Sequence, residues 1–222
     1  MSQRSPGGNT PSLPWVGIAA LGAATFGAGA VIAGQASLQG LLHPWYLTRA
    51  AGIIAFLLLW ASVCAGLLQS TQFLKGASSP LANIDIHTFL SLGALYATTF
   101  HVVILLFDRY VKFSLADLLI PFASEYKPVL VGLGGLAFYI ALGVSVSTYL
   151  RSKLNAKVWR AIHLTSLVAF ALALVHGAVL GTDRHAAAVA FLYRFAAISV
   201  VALTGYRVYL GVKKRANSAG GR

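Results

Sequence analysis

AIHLTSLVAFALALVH, residues 161–176, and IHTFLSLGALYATTFH, residues 86–101, decide the fold of this chain. Both stretches hold only uncharged residues between two histidines. The spacings of 13 and 14 residues separate the histidines by about 20 Å on a helix that rises about 1.5 Å per residue. An unpaired imidazole is costly in hydrocarbon, so two matched pairs inside apolar segments indicate a functional site. The four histidines are His87, His101, His163 and His176.

The composition is that of a membrane protein. Hydrophobic residues make up 58% of the chain and charged residues only 10%. A span needs about 20 apolar residues to cross a hydrocarbon core of about 30 Å. Six runs near that length occur at about 13–34, 45–69, 85–107, 128–150, 159–181 and 187–211. The sequence therefore predicts an all-α membrane protein, with a six-helix transmembrane bundle over residues 13–211.

The segments outside the apolar runs are polar and short. Residues 1–12 are rich in Ser, Pro and Gly, and residues 212–222 are basic, so both ends are predicted to be disordered tails. The first apolar run follows Arg4 and contains Ala28-Gly29-Ala30, which resembles a signal-peptide cleavage site. A cleaved leader is therefore an alternative to a retained first helix.

Charge predicts the topology. The net charge is +12, but the basic residues lie at the ends of the apolar runs and not on a soluble face, which argues against nucleic acid as a partner. With the amino terminus in the cytoplasm, eleven of the seventeen Lys and Arg residues fall inside. These are Arg4, Lys75, Arg151, Lys153, Lys157, Arg160, Arg207, Lys213, Lys214, Arg215 and Arg222. We expect a multi-pass protein in a bacterial cytoplasmic membrane, with both termini cytoplasmic.

The single cysteine, Cys64, limits the redox chemistry. It rules out an intramolecular disulfide, a Cys-rich zinc site and a Cys-ligated iron–sulfur cluster. Because Cys64 lies in the second apolar run, we expect it to serve packing.

Two facing histidine pairs are typical of bis-imidazole haem ligation. Haem iron takes its axial ligands from opposite sides of the ring, so each haem needs one imidazole from each of two helices at one depth. The third and fifth runs cross the membrane in the same direction. His87 would therefore pair with His163 near the inner surface, and His101 with His176 near the outer surface. The prediction is two b haems between the third and fifth helices.

The angle around the helix between the two histidines of a run differs between the third and the fifth run. At about 100° per residue, fourteen residues bring His101 to within about 40° of the face that carries His87. Thirteen residues leave His176 about 140° from His163 on a straight helix. A locally over-wound or under-wound turn between them is therefore expected.

Further residues near these pairs have two interpretations each. Arg49 either snorkels to the interface or pairs with a haem propionate. Phe170 either packs in the core or stands between the two haems, and the glycines at 132, 134 and 135 are explained by helix packing.

His43 and His185 fall in the outer loops, where they are solvated or, near Asp183, bind an outer metal ion.

The motifs around the histidines resemble those of a known family. Asp85-Ile86-His87, Phe100-His101, Trp159 to His163 and Val175-His176-Gly177 are similar to the ferric reductase-like transmembrane domain, and the likeness covers residues 45–211. That superfamily includes NADPH oxidases, ferric reductases and the membrane subunit of a bacterial methionine sulfoxide reductase system. The resemblance implies that His87 and His163 hold an inner haem b and that His101 and His176 hold an outer one.

The resemblance also bears on the partners. Oxidases of the family continue into flavin and nicotinamide domains, whereas this chain ends soon after its sixth apolar run. We therefore expect FAD or NAD(P)H only on a partner protein, so that the chain is the membrane haem subunit of an oxidoreductase, with no catalytic residue of its own. Its electrons would come from a donor protein or a quinol, with a quinone as a further cofactor, and pass to an unidentified extracytoplasmic acceptor.

Transmembrane electron transfer is thus the leading hypothesis. A protein that handles or transports metal ions, with the histidines as direct ligands, is the alternative, although pairs a helix length apart do not form one ion site. A membrane anchor in which haem only holds the helices together is a third possibility.

Overall fold

The computed structural model describes residues 44–71, 80–108 and 110–220. The described part is helical, and no strand occurs in it. Its helices are α1 (Pro44–Ser70), α2 (Pro80–Leu105), α3 (Leu115–Leu119), α4 (Pro128–Tyr149), α5 (Ala156–Leu164), α6 (Ser166–Leu180) and α7 (Ala187–Gly220). Short 3-10 turns occur at Arg151–Lys153 and Thr182–His185.

Five segments of the described chain are long and apolar enough to cross a membrane. They are Pro44–Ser70, Ile84–Leu105, Pro128–Tyr149, Ala156–Leu180 and Ala187–Ser218. Five of the six predicted spans are thereby confirmed as membrane-length helices, with bounds that shift by a few residues. The first predicted span, residues 13–34, lies outside the described residues, as does the predicted tail at 1–12.

Aromatic side chains form the centre of the packed core, where α1, α6 and α7 meet. Phe56 stacks on Phe170 with ring centroids 5.8 Å apart, and its ring lies 4.8 Å from that of Tyr193. Trp60 donates a hydrogen bond from Nε1 to Ser199 Oγ at 2.9 Å. Cys64 packs against this cluster. The core thus joins α1 to α6 and α7, while α2 and α4 flank it.

The fifth predicted run is two helices and not one. Its helix begins at Ala156 and is interrupted at Thr165, between α5 and α6. There the chain is tightly wound, because the Thr165 N–H bonds to Ile162 O at 3.0 Å and the Thr165 hydroxyl donates to the same carbonyl at 2.6 Å. This is an irregular turn of the kind that the 13-residue histidine spacing predicts. Each half of the span can therefore set the direction of its own histidine.

The connection between α2 and α4 is ordered by side-chain caps. Ser114 caps α3 and bonds to Asp117, and these hydrogen bonds hold the pKa of the Asp117 carboxyl below its ordinary value. Tyr139 donates to Leu119 O at 2.5 Å and so fixes α3 against α4. Gly132 accommodates the ring of Phe122, as its predicted packing role requires.

Helix α7 is longer than the sequence pattern indicates. It has 34 residues and continues to Gly220, so residues 212–220 are helical where a disordered basic tail was predicted. That prediction was wrong for these residues. Lys213, Lys214, Arg215 and Ala216 are good helix formers, and they extend a helix that already has many turns to propagate from.

Candidate functional site

One cavity of about 790 Å³ is lined by all four histidines of the two pairs. Small-molecule sites commonly have volumes of about 300–1,000 Å³, so this cavity is near the upper end of that range. His87 and His101 enter it from α2, while His163 enters from α5 and His176 from α6. The site therefore extends along the bundle and is not a pocket at one surface.

Three of the four imidazoles are held by a main-chain carbonyl of a neighbouring helix. A carbonyl oxygen can only accept, so each of these Nδ1 atoms carries the proton and the neutral ring keeps a free lone pair on Nε2. An Nδ1–H bond to a carbonyl is also what orients a metal-ligating histidine. The donors and acceptors are His87 to Ser62 at 3.0 Å, His101 to Thr48 at 2.8 Å and His176 to Leu130 at 2.7 Å.

A glycine one helical turn after each of these carbonyls makes room for the ring. We call this combination, a carbonyl at position i and a glycine at i+4, the carbonyl–glycine arrangement. A Cβ on the glycine would lie in or near van der Waals conflict with the imidazole. The closest approaches are Gly66 to His87 at 3.2 Å, Gly52 to His101 at 3.1 Å and Gly134 to His176 at 2.7 Å.

Buried hydroxyls reinforce the two arrangements on α1. Ser62 Oγ lies 3.3 Å from His87 Nδ1 and 2.7 Å from Ser91 Oγ, and Ser91 in turn donates to the His87 carbonyl. Thr48 Oγ1 lies 3.3 Å from His101 Nδ1 and donates to the His101 carbonyl. The rings of both α2 histidines are thus held by α1. Their carbonyls accept from Thr48 of α1 and from Ser91, which itself bonds to Ser62 of α1.

The contacts of the His163 ring differ from those of the other three histidines. Its Nδ1 is buried without a hydrogen-bond partner, and so is the Nε1 of Trp159 one turn earlier. The Trp159 and His163 rings stack with centroids 5.0 Å apart at 27°, and the Arg151 guanidinium lies over the Trp159 ring, 4.4 Å from its centroid. His163 is therefore held by stacking and not by a directional bond.

The structure brings the predicted partners close together. The rings of His87 and His163 have centroids 5.9 Å apart at an interplanar angle of 64°. The imidazoles of His101 and His176 are near enough to interact electrostatically. The guanidinium groups of Arg151 and Arg207 also act on His163, so the pair of His87 and His163 lies beside basic residues.

The other residues singled out from the sequence have varied positions. Arg49 lines the cavity and forms a two-pronged ion pair with Asp183, with Nε 2.7 Å from Oδ2. Phe170 packs on Phe56 in the core and is not a lining residue of the cavity. His185 is exposed and accepts from Arg184, as a loop histidine would. His43 lies outside the described residues.

Comparison with known families adds an independent result. Residues 51–175 match the family described as ferric reductase like transmembrane component. The chain belongs to this ferric reductase-like family. The resemblance predicted from the histidine motifs is confirmed, and the multi-pass membrane character follows from it together with the five long helices. No curated protein and no solved structure gave a significant match.

The matched region of this ferric reductase-like protein contains three of the four histidines, and His176 follows its last residue directly. Membership supports membrane electron transfer as the general function. Sequence reasoning missed the three glycines and the three carbonyls. One signal was available, since Gly52 and Gly66 have the same 14-residue spacing as His101 and His87, and Thr48 and Ser62 repeat it.

Proposed function

We propose that this protein carries electrons across the membrane through two b haems, one held by His87 and His163 and the other by His101 and His176. The observation that carries the proposal is the set of four imidazoles on one elongated cavity, three of them fixed through Nδ1. Ferric reductase-like membership supports the same function.

The residues present fit such a cofactor. Two imidazoles would hold one haem, so their rings have to lie close together at the same depth. The separation of His87 and His163 is 5.9 Å. The fixed Nδ1–H groups leave Nε2 as the ligating atom, and most of the cavity lining is apolar, which suits a porphyrin ring.

When bound, haem supplies one-electron redox chemistry, and the chain's own residues set the conditions for it. The α1 carbonyls hold His87 and His101 about 20 Å apart, since fourteen residues each rise about 1.5 Å. That distance covers most of a hydrocarbon core of about 30 Å. Two sites at these depths therefore divide the crossing into short steps.

The outward direction is part of the proposal. With both termini cytoplasmic, the inner pair lies beside Arg151 and Arg207, and the outer pair lies toward Arg49 and Asp183. An inside-negative potential drives an electron outward, and the electron loses about 2.3 kcal/mol of free energy per 100 mV as it crosses. We infer that a cytoplasmic-side protein or a quinol gives the electron and that an extracytoplasmic acceptor takes it.

The metal-handling alternative has less support. Within the ranges that the structure describes, no three His, Cys, Asp or Glu side chains form a group that could hold a metal ion. Separated pairs suit two axially ligated cofactors better than one bare cation.

Proteoliposomes test the proposal. The purified protein is reconstituted in vesicles that contain trapped ferricyanide, and dithionite is added outside. We expect haem reduction followed by loss of the trapped ferricyanide, and neither event at a comparable rate in vesicles without protein. His87→Ala and His101→Ala should each stop ferricyanide loss. Haem-loaded wild-type protein that leaves the trapped ferricyanide oxidised would overturn the proposal.

A further inference from the structure

We propose that the inner histidine pair is a ligand-exchange site, at which His163 leaves the iron and a small uncharged diatomic molecule takes its place. This inference rests on the proposed function, because it concerns the same two haem sites. Three features set His163 apart from the other three histidines, and they belong to its hydrogen bonding, its helix and its neighbours.

The first feature is the missing anchor. His87, His101 and His176 each use a carbonyl–glycine arrangement, whereas His163 Nδ1 has no partner. On α4, Val144 and Thr148 would be the counterparts of Leu130 and Gly134 at the same 14-residue spacing. There the Thr148 hydroxyl donates to the Val144 carbonyl at 3.0 Å, and Ser147 donates to it at 2.8 Å. That carbonyl is therefore already occupied, and the glycine that would admit a ring is replaced by threonine.

The energetic consequence favours exchange. If His163 ligates through Nε2, its Nδ1–H is buried and unpaired, so the desolvation of this group is not compensated. A histidine ligand without its outer hydrogen bond also loses about 10–100-fold in metal affinity. His163 is therefore the weakest of the four ligands.

The second feature is the helix that carries the residue. His163 lies on α5, which has nine residues and no buried residue. The interruption at Thr165 follows two residues later and separates α5 from α6. By contrast, His176 lies on α6, where Ala169 and Phe170 are buried. A short, weakly packed helix with a break at its end can move its histidine without disturbing the core.

The third feature is the Trp159 ring. Stacking at 5.0 Å keeps the imidazole plane parallel to the indole but does not fix the direction of Nδ1–H, because stacking is less directional than a hydrogen bond. With haem bound, His87, held by Ser62, would keep the cofactor in place while His163 gives way to the diatomic ligand. This exchange of one neutral ligand for another needs no electron or proton.

Carbon monoxide is the probe, because it binds reduced haem with an open axial position. Dithionite-reduced wild-type protein with two haems should bind about one CO per two haems, with the second haem at least 10-fold weaker. Trp159→Leu removes the stacking restraint and should raise the CO association rate, expressed per bound inner haem, several-fold.

Two glycine variants test whether the carbonyl–glycine arrangement is what keeps CO from the outer haem. Gly52→Ala places a Cβ about 3.1 Å from His101 Nδ1 and should loosen that ligand enough for the outer haem to bind CO as well. Gly143→Ala on α4 meets nothing within 4 Å and should behave as wild type.

Failure of this inference is distinct from failure of the proposed function. Two haems with no CO binding, equal binding at both haems in the wild type, or an unchanged rate in Trp159→Leu would each overturn the ligand-exchange site and leave electron transfer intact. A purified protein without haem would overturn both.

Discussion

At the residue scale, the site depends on pairings between imidazoles, main-chain carbonyls and glycines. The histidines could be found from the sequence because a buried imidazole in an apolar run is costly and therefore rare. The acceptors of their Nδ1–H groups could not, since a main-chain carbonyl leaves no mark in a sequence. Among these glycines, only Gly134 has an interpretation from the sequence, as helix packing, and Gly52 and Gly66 have none. Gly134 shows why this was incomplete, because the group it admits is the His176 ring and not an apolar side chain.

Gly134→Ala tests the carbonyl–glycine arrangement directly. The added Cβ would lie 2.7 Å from the His176 ring, so the imidazole must move and lose its bond to Leu130 O. Because this steric conflict adds to the lost hydrogen bond, we expect the outer haem to bind at least 10-fold more weakly and to be lost during purification. Pyridine haemochrome analysis measures the change, and Gly143→Ala on the same helix is the control. Full haem content in Gly134→Ala would show that the glycine does not position the ligand.

The Arg49–Asp183 ion pair predicts opposite effects on the outer haem. Removing a positive charge near an iron favours its oxidised form, so Arg49→Gln should lower the midpoint potential of that haem. Asp183→Asn removes a negative charge and should raise it. Redox titration with optical detection measures both variants. If both variants shift the midpoint potential in the same direction, or if neither variant shifts it, the Arg49–Asp183 ion pair serves only to join α1 to the turn before α7.

At the element scale, the sequence located the spans well but not their irregularities. Apolar length identified five of the helices, whereas the break at Thr165 lies in an uninterrupted apolar run with no Pro or Gly to indicate it. The indirect signal was the 13-residue spacing, which does not suit a regular helix. Helix α7 was underestimated because hydrophobicity ends before the helix does.

An insertion tests the function of the Thr165 break. One alanine added after Thr165 turns α5 by about 100° relative to α6 and moves it by about 1.5 Å. His163 should then leave the His87 side of the cavity, while His176 keeps its bond to Leu130. We expect weaker binding of the inner haem alone. An alanine added between Ser152 and Lys153, in the turn before α5, should keep both haems. Equal effects of the two insertions would mean that the break does not set the direction of His163.

At the scale of the whole molecule, the cavity joins residues from most of the described helices, and this assembly was only partly predictable. The pairing of the third and fifth apolar runs followed from matched histidine depth. The contribution of α1 and α4, which carry the anchoring carbonyls, did not, because it depends on which helices become neighbours. The first apolar run and its place in the bundle lie outside the described residues.

Topology gives a prediction for the entire chain. In a Cys64→Ser background, we expect Glu125→Cys to react with a membrane-impermeant maleimide in intact cells, because the charge pattern predicts that residues 108–127 lie outside. Ser152→Cys should react only after permeabilisation, because the basic turn around it is predicted to be cytoplasmic. The reverse labelling pattern would invert the membrane orientation and, with it, the proposed direction of electron flow.

The most direct measurement is the haem content per polypeptide of the purified protein, by pyridine haemochrome, for the wild type and for the alanine variants of His87, His101, His163 and His176. We expect two b haems in the wild type. His87→Ala should lose the inner haem, His163→Ala should lower the content of that haem less because the anchored His87 remains, and His101→Ala and His176→Ala should lose the outer haem. No haem in the wild type, or a haem content that none of the four substitutions changes, would contradict this expectation.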